Sequence, residues 1–510
     1  MPKLITKKFG LHVADIFQKN IGTGQDNFYI FYSRVHPWPS EQEPPTPIDT
    51  VQYTEYDVWR GMVGLKKISN NDVSFAISRY NWTANTVYAQ YSNVDPNLTS
   101  KQYFVYTSNN NVYKCLYNNG GSPSTVQPTG QSTSSTSTSD GYTWKFMYNV
   151  TSAEQNRYQS GNFVPVKKLT SDDSSPQWAV QQAAANGSVD VVDVIDGGSN
   201  YLIATGNVTS VTNTSVFNIS TGLPTDNIYK NYSLFISSGL GAGQNRRIKQ
   251  YRALDKKITL QTPFDLSPNT QSTFHIAPTI NIHGDGSGAQ AYANVISGEV
   301  VRVNVIDGGS NYSRASANVT HYGPTTGLGA QINPLIAPPG GHGSDPIIEL
   351  NGTNIVINAL VDGTENGKFV ANNDFRIYGL VKNPVELDGT RATDLRYNQT
   401  TRLTMTGVSG TFLLDEFVSG DDSGALGRVV EFAADDSSGV TGVLKLTNVS
   451  GGFSNTEAIT ANTSGTTGTI TGVAAPELLP FRGEVLYTVN QVAISRDVDQ
   501  TENITITVKF

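Results

Sequence analysis

The chain has 510 residues, room for about two to four domains, and carries a net charge of −8 with only 15% charged residues. Glycine (48 residues), serine, threonine and asparagine are plentiful, a profile of a β-rich, loop-rich protein rather than a helical enzyme. The acidic balance argues against a nucleic-acid surface, the single Cys115 excludes an intrachain disulfide framework or a cysteine zinc cluster, and no apolar run of about 18 residues exists to span a membrane. The opening MPKLITKKFGLHVADIF lacks a compact apolar stretch with a cleavage site, so no signal peptide is expected.

Leu11, Val13, Ala14, Ile16 and Phe17 recur at helical spacing and predict a short helix ending at Asn20-Ile-Gly. Phe28-Tyr-Ile-Phe-Tyr predicts a strand buried on both faces in mid-sheet. A proline-stiffened loop follows, through Arg34-Val-His-Pro-Trp-Pro and Glu43-Pro-Pro-Thr-Pro. Asp57-Val-Trp-Arg-Gly-Met-Val reads as a helical turn carrying Trp59 into a core, and Val73-Ser-Phe-Ala-Ile as a strand. Tyr103-Phe-Val-Tyr and Val112 to Leu116 predict a hairpin across Asn109-Asn110-Asn111, with Cys115 as a small core residue. Residues 119–140 are Gly/Ser/Thr/Pro-rich and read as a mobile surface loop before the aromatic strand Tyr142 to Tyr148. Gln177 to Ala185 predicts a helix.

Residues 189–201 (VDVVDVIDGGSNY) and 300–312 (VVRVNVIDGGSNY) are near copies, with Asp196 and Asp307 lying 111 positions apart. Apolar/polar alternation predicts a half-buried strand running into an Asp-Gly-Gly-Ser-Asn turn, then Tyr201 or Tyr312 and a second strand, in short a hairpin. The duplication marks a repeated unit whose two copies share one shape. A calcium or phosphate loop is disfavoured: each copy offers one carboxylate, and no helix follows. Between the copies, Tyr232 to Ser237, the bend at Gly239, Gly241 and Gly243, Arg246 to Tyr251 and Lys257 to Leu260 predict the short strands of a small barrel or sandwich. Arg246, Arg247 and Lys249 make a modest basic cluster, read as a solvated strand face in preference to an anion site.

Strands are next expected at Ile347-Ile-Glu-Leu, Ile355 to Leu360 and Phe375 to Val381. Residues 403–474 form a Gly/Thr/Ser-rich series with strands at Phe412-Leu-Leu, Gly427 to Phe432, Gly442 to Leu446 and Gly468 to Gly472. Gly483 to Val489 and Ile504 to Phe510 close the chain as two strands, the last expected in the sheet system of Phe28 to Tyr32 or Tyr142 to Tyr148.

Catalysis finds little support. His12, His36, His275, His283, His321 and His342 show no metal or nucleophile spacing, and neither Gly-X-Ser-X-Gly nor His-Glu-X-X-His occurs. Asp421-Asp422 and Asp435-Asp436 are conceivable acid/base pairs for glycan cleavage, but their Gly/Ser-rich settings favour solvated loop tips. Trp38, Trp59, Trp82, Trp144 and Trp178 read as core anchors rather than a sugar platform. No catalytic, cofactor-binding or metal-binding residue is therefore assigned.

A set of short pieces in fixed order resembles the gene-eight baseplate wedge protein family of T4-type contractile-tailed phages. They are Phe17 to Asp26 (FQKNIGTGQD), Arg34-Val-His-Pro-Trp, Asp57-Val-Trp, Arg79-Tyr-Asn-Trp, Val112-Tyr-Lys-Cys-Leu, Asp140-Gly-Tyr-Thr-Trp and Phe163-Val-Pro-Val. The order continues through Asp374-Phe-Arg-Ile-Tyr, Asn383-Pro-Val, and Gly483-Glu-Val-Leu-Tyr on to the final Phe510. The resemblance covers about three-fifths of the chain. It implies a β-sandwich protein; two stretches depart from the family pattern and read as inserted small β modules, so the expected fold is mainly β, a β-sandwich core with two inserted small β modules and a few short helices. The core would comprise residues 1–185, 344–395 and 477–510, with modules at 186–343 and 396–476, each leaving and re-entering at one place. The family further implies a homodimer contacting other baseplate wedge proteins, without enzymatic activity or cofactor; composition adds the expectation of neither a nucleic-acid nor a membrane partner. Its location would be the virion tail baseplate, after assembly in the host cytoplasm. A different class of function is a tail-associated receptor- or glycan-binding protein, with or without glycan-degrading activity.

Overall fold

Phe28–Ser33 is the middle strand of a five-stranded antiparallel sheet, buried at all six positions, in the order Arg396–Asn398, Met62–Lys67, Phe28–Ser33, Asn373–Lys382, Glu484–Arg496. This computed structural model describes residues 6–50, 53–320 and 327–510; His321 lies outside them. The protein is mainly β, with few and short helices. Its contacts divide it into two units, Met1–Ala76 with Thr353–Phe510, and Ile77–Gly352. The span 1–185 is shared between them, because the aromatic strands Phe104–Tyr106, Asn111–Tyr117 and Thr143–Asn149 close a core of their own around Tyr88, Tyr113, Cys115 and Trp144.

In the first unit, Tyr29 and Phe31 enter a core with Trp38, Trp59, Leu65 and Tyr397. On the opposite face Tyr32 stacks on Phe375 with ring centroids 4.0 Å apart. Alternation along one strand thus feeds two packed layers. Thr501–Lys509 pairs with Asn354–Asp362 over nine positions, in a different sheet from Phe28–Ser33, so the expected sharing of a sheet is not what forms. What links the two sheets is side-chain packing. Phe17 meets Phe28 at 5.2 Å and Phe510 at 5.5 Å, and the buried pair Arg496–Glu502 spans 2.8 Å.

The helix Lys7–Thr23 runs a turn beyond the expected stop and ends at Gly24 in the left-handed conformation (φ +68°). Ile347 to Leu350, expected as a strand, instead carries the helix Pro346–Glu349. Pro346 sits in its first turn, and the Asp345 carboxylate accepts the N–H groups of Ile347 and Ile348 at 3.1 and 3.2 Å. Phe412-Leu-Leu is irregular, with only Phe412 buried in the module core. Residues 119–140 are tied down rather than loose. Asp140 accepts from Ser124 Oγ and from the N–H groups of Thr125 and Val126 at 2.8–3.0 Å, and Thr136–Ser137 pairs with Trp144 and Thr143.

Each unit holds a closed six-stranded barrel. One is built from Ala204–Asn213, Val216–Ile219, Ser233–Ser238, Asn245–Arg252, Lys257–Leu260 and Thr273–Ala277. The other uses Thr401–Thr406, Phe417–Gly420, Leu426–Ala434, Gly442–Ser450, Ala458–Ala461 and Thr467–Ala474. Numbered in chain order, the first circle reads 1-2-5-4-3-6 and the second 1-4-3-2-5-6. Raising each label of the second by one gives 2-5-4-3-6-1, the same circle. The barrels are circular permutations of one topology, and Phe235-Ile-Ser and Phe417-Val-Ser open the equivalent strand–turn segments. Closure removes sheet edges that would otherwise be exposed.

The second barrel's chain leaves and returns through adjacent residues: Glu477 N–H donates to Asn398 O at 3.0 Å, and Asn398 N–H to the Glu477 carboxylate at 2.8 Å. In the second unit, Gly340 N–H donates to Asn186 Oδ1 at 2.9 Å, and a Cβ on Gly341 would lie 2.6 Å from Ala185 N.

The two Asp-Gly-Gly-Ser-Asn-Tyr copies share one conformation. Asp196 and Asp307 accept the N–H of Gly198 and Gly309 at 2.9 and 2.8 Å; φ is +61° and +60° at those glycines, +62° and +63° at Asn200 and Asn311. They are not hairpins. Val191–Asp196 pairs with Gln331–Leu335, and Glu299–Asp307 with Gln290–Ile296. Each turn docks on a Gly-Xaa-Gly-Ala-Gln loop, a second repeat at residues 286–290 and 327–331. Ser199 bridges Leu328 and Ser310 bridges Ser287. The first loop glycine leaves room for a tyrosine ring, Tyr312 over Gly286 and Tyr201 over Gly327, which explains the tyrosine after each turn.

Candidate functional site

Lys114 lies in Asn111–Tyr117, a strand covered on both faces, and its side chain is fully buried. Its ammonium contacts Glu349 Oε2, while Glu349 Oε1 accepts the N–H groups of Gly343 at 2.8 Å and Asp345 at 3.2 Å. His342 Nδ1 is 3.8 Å from Glu349 and Nε2 3.9 Å from Asp190. The Tyr91 ring lies 4.8 Å from the Lys114 ammonium and meets His342 edge-on at 4.7 Å. A cavity of about 280 Å³ beside this network is lined by Lys145, Asp190, His342, Asp307 and Gly308.

Burial works against the ionised Glu349, but Lys114 and His342 outweigh it and hold the carboxyl at about 2. Burial and the Lys114 charge push His342 down, toward the neutral imidazole. Sequence reading missed this network. Its signals were a lysine inside the apolar run Val112 to Tyr117 and a glutamate inside Ile347 to Leu350. The network pairs charges and fastens residues 342–349 to the aromatic sheet.

The other candidates disperse. Asp421, Asp422, Asp435 and Asp436 sit on exposed turns, where Asp436 accepts the N–H of Ser438 at 2.8 Å. His12 and His283 are exposed, whereas His36 and His275 are half-buried in different units. Trp38, Trp59 and Trp144 are core residues. Among the described residues no group of three His, Cys, Asp or Glu side chains could hold a metal ion, and no helix is long and apolar enough to cross a membrane. Cys115 is 0% exposed, and burial pushes its thiol well up. Native protein is therefore expected to resist Ellman's reagent, with one thiol appearing on unfolding in guanidinium; rapid labelling of native protein would contradict this.

Within the first unit, the short pieces singled out in the sequence meet across more than 300 residues. Asn383 Nδ2 donates to Asp26 at 2.7 Å, and Asn27 N–H to Asn383 Oδ1 at 2.8 Å. Arg376, from Asp374-Phe-Arg-Ile-Tyr, donates to Val35 O and pairs with Glu41 at 2.8 Å, while the Arg34 guanidinium lies 3.7 Å from the Trp38 ring centroid. Charged groups here hold a loop to a sheet at modest exposure, which fixes shape rather than presenting chemistry. No protein-family model matches the chain, and no curated protein matches it. The geometry therefore stands on this molecule's own residues.

Proposed function

We propose that the chain is a structural virion protein, a subunit of the baseplate wedge of a contractile phage tail, acting through protein–protein contacts as a homodimer and with other wedge proteins. The observation that carries this reading is the convergence of family-like pieces from the two ends of the chain, Asp26 with Asn383 and Arg34 to Trp38 with Arg376, in the first unit. The pieces from the two ends of the chain pack within the first unit, as parts of an inherited core do, while those from Arg79 to Val166 belong to the second. The dispersed carboxylates and histidines support a scaffold over an enzyme. Obligate assemblies of this sort bury more than roughly 2,000 Å² in total.

Cryo-electron microscopy of the intact particle tests the proposal. Density for this chain is expected in the baseplate around the tail hub, as dimers; density only at peripheral fibres, or a monomer, contradicts it. The purified protein is also expected to release no reducing ends from host polysaccharide or peptidoglycan above a buffer control. Release that is lost in Asp421→Asn or Asp435→Asn would overturn the non-enzymatic reading.

A further inference from the structure

The register of the second unit assembles an uncharged aromatic groove that the scaffold reading does not use. In the barrel, His275 lies directly opposite Phe235 on one side and Thr205 on the other. In the neighbouring four-stranded sheet, Tyr292 lies directly opposite Asn304, with Asn294 two positions along on the same face. The two rows meet. Tyr292 stacks on Phe235 with centroids 5.5 Å apart and planes at 23°, and lies 5.7 Å from the His275 ring. The resulting groove encloses about 460 Å³, within the usual range for ligand sites.

Its polar groups are amides, hydroxyls and one imidazole. Among the described residues, no Asp, Glu, Lys or Arg lines it. His275 Nε2 is buried without a hydrogen-bond partner, an uncommon state for a polar atom. Asn294 and Asn304 stand half-buried on the wall, and each amide offers both donors and an acceptor. Half-buried rings beside amide groups fit a ligand with an apolar C–H face and a rim of hydroxyls. The absence of charge disfavours phosphate, nucleotides and acidic sugars.

We propose that this groove binds a neutral oligosaccharide, with Tyr292 and Phe235 as the stacking platform and Asn294 and Asn304 as hydroxyl partners. The site is independent of the baseplate assignment: a scaffold protein carries it as an accessory surface, and its loss leaves that assignment standing.

The full chain is titrated by saturation-transfer NMR with gluco-, galacto- and manno-configured neutral hexasaccharides and with an oligogalacturonate hexamer. At least one neutral hexasaccharide is expected to bind, and the acidic hexamer not. Tyr292→Ala and Asn304→Ala, each verified as folded by an unchanged melting temperature, are expected to weaken binding at least about tenfold, with Tyr292→Phe close to the parent. Failure of every neutral hexasaccharide to bind overturns the proposal. So does equal binding of the acidic hexamer, or binding that survives both alanine substitutions. Should Tyr292→Ala not fold, Asn304→Ala and Tyr292→Phe carry the decision.

Discussion

Lys114→Met is expected to destabilise the second unit by about 3–5 kcal/mol, the cost of leaving a buried carboxylate without its counter-charge. Both partners are buried, with side-chain exposures of 0% and 1%, so solvent screens little of the interaction. Adding Glu349→Gln to Lys114→Met is expected to recover part of the loss, because the amide can still accept from Gly343 and Asp345. The pH dependence carries its own sign. Glu349 is held at about 2, below its ordinary 4.5. Its contribution is therefore complete above about pH 4.5 and is lost as pH falls through about 2, roughly 3 kcal/mol in all. Urea denaturation at pH 7 and at pH 3, followed by tryptophan fluorescence, checks both. A variant as stable as the parent at pH 7, or an unaltered acid limb, would show that the pair contributes nothing.

The second large effect is expected at Gly309. Its φ is +60°, and a Cβ there would lie 2.3 Å from Ser287 O and 2.4 Å from Ala289 N. Gly309→Ala thus combines left-handed strain with a backbone clash, each worth about 1–3 kcal/mol, and a total near 3 kcal/mol or more is expected. Gly198→Ala meets the same geometry against Leu328 O at 2.3 Å and Ala330 N at 2.5 Å, so the two variants should lose similar stability. As a comparison, Gly389→Ala, at φ +87° with no atom near its Cβ, carries the strain alone and should cost less. Melting temperatures of the three variants decide. Equal losses at Gly309 and Gly389 would remove the docking contact from the explanation.

Local features were legible because local physics sets them. The β character of Phe28 to Tyr32 follows from aromatic and β-branched residues, and the shared turn of the two copies from an Asp-Gly-Gly-Ser-Asn string whose Asx contact spans two residues. The burial of Cys115 follows from its apolar neighbours, and the closeness of the ends of the module at 186–343 from its loop-forming flanks. Ile347 to Leu350 misled because an apolar run of four has no period to speak of. Asp345 and Pro346 then start a helix.

What only the tertiary structure decided is which strand pairs with which. The turn residues around Ser199 cannot say that their partner is the Gly-Xaa-Gly loop at Leu328, because pairing energy comes from neighbours far along the chain. The same holds for Thr501–Lys509, which joins Asn354–Asp362 although its alternation would suit any half-buried sheet. Lys114 and Glu349, 235 positions apart, and Tyr292 and Phe235, on different sheets, gain their roles only once folding brings them together. Composition and periodicity determined a β protein with repeated modules. Long-range register, which no local pattern encodes, decided its buried charges and its aromatic groove.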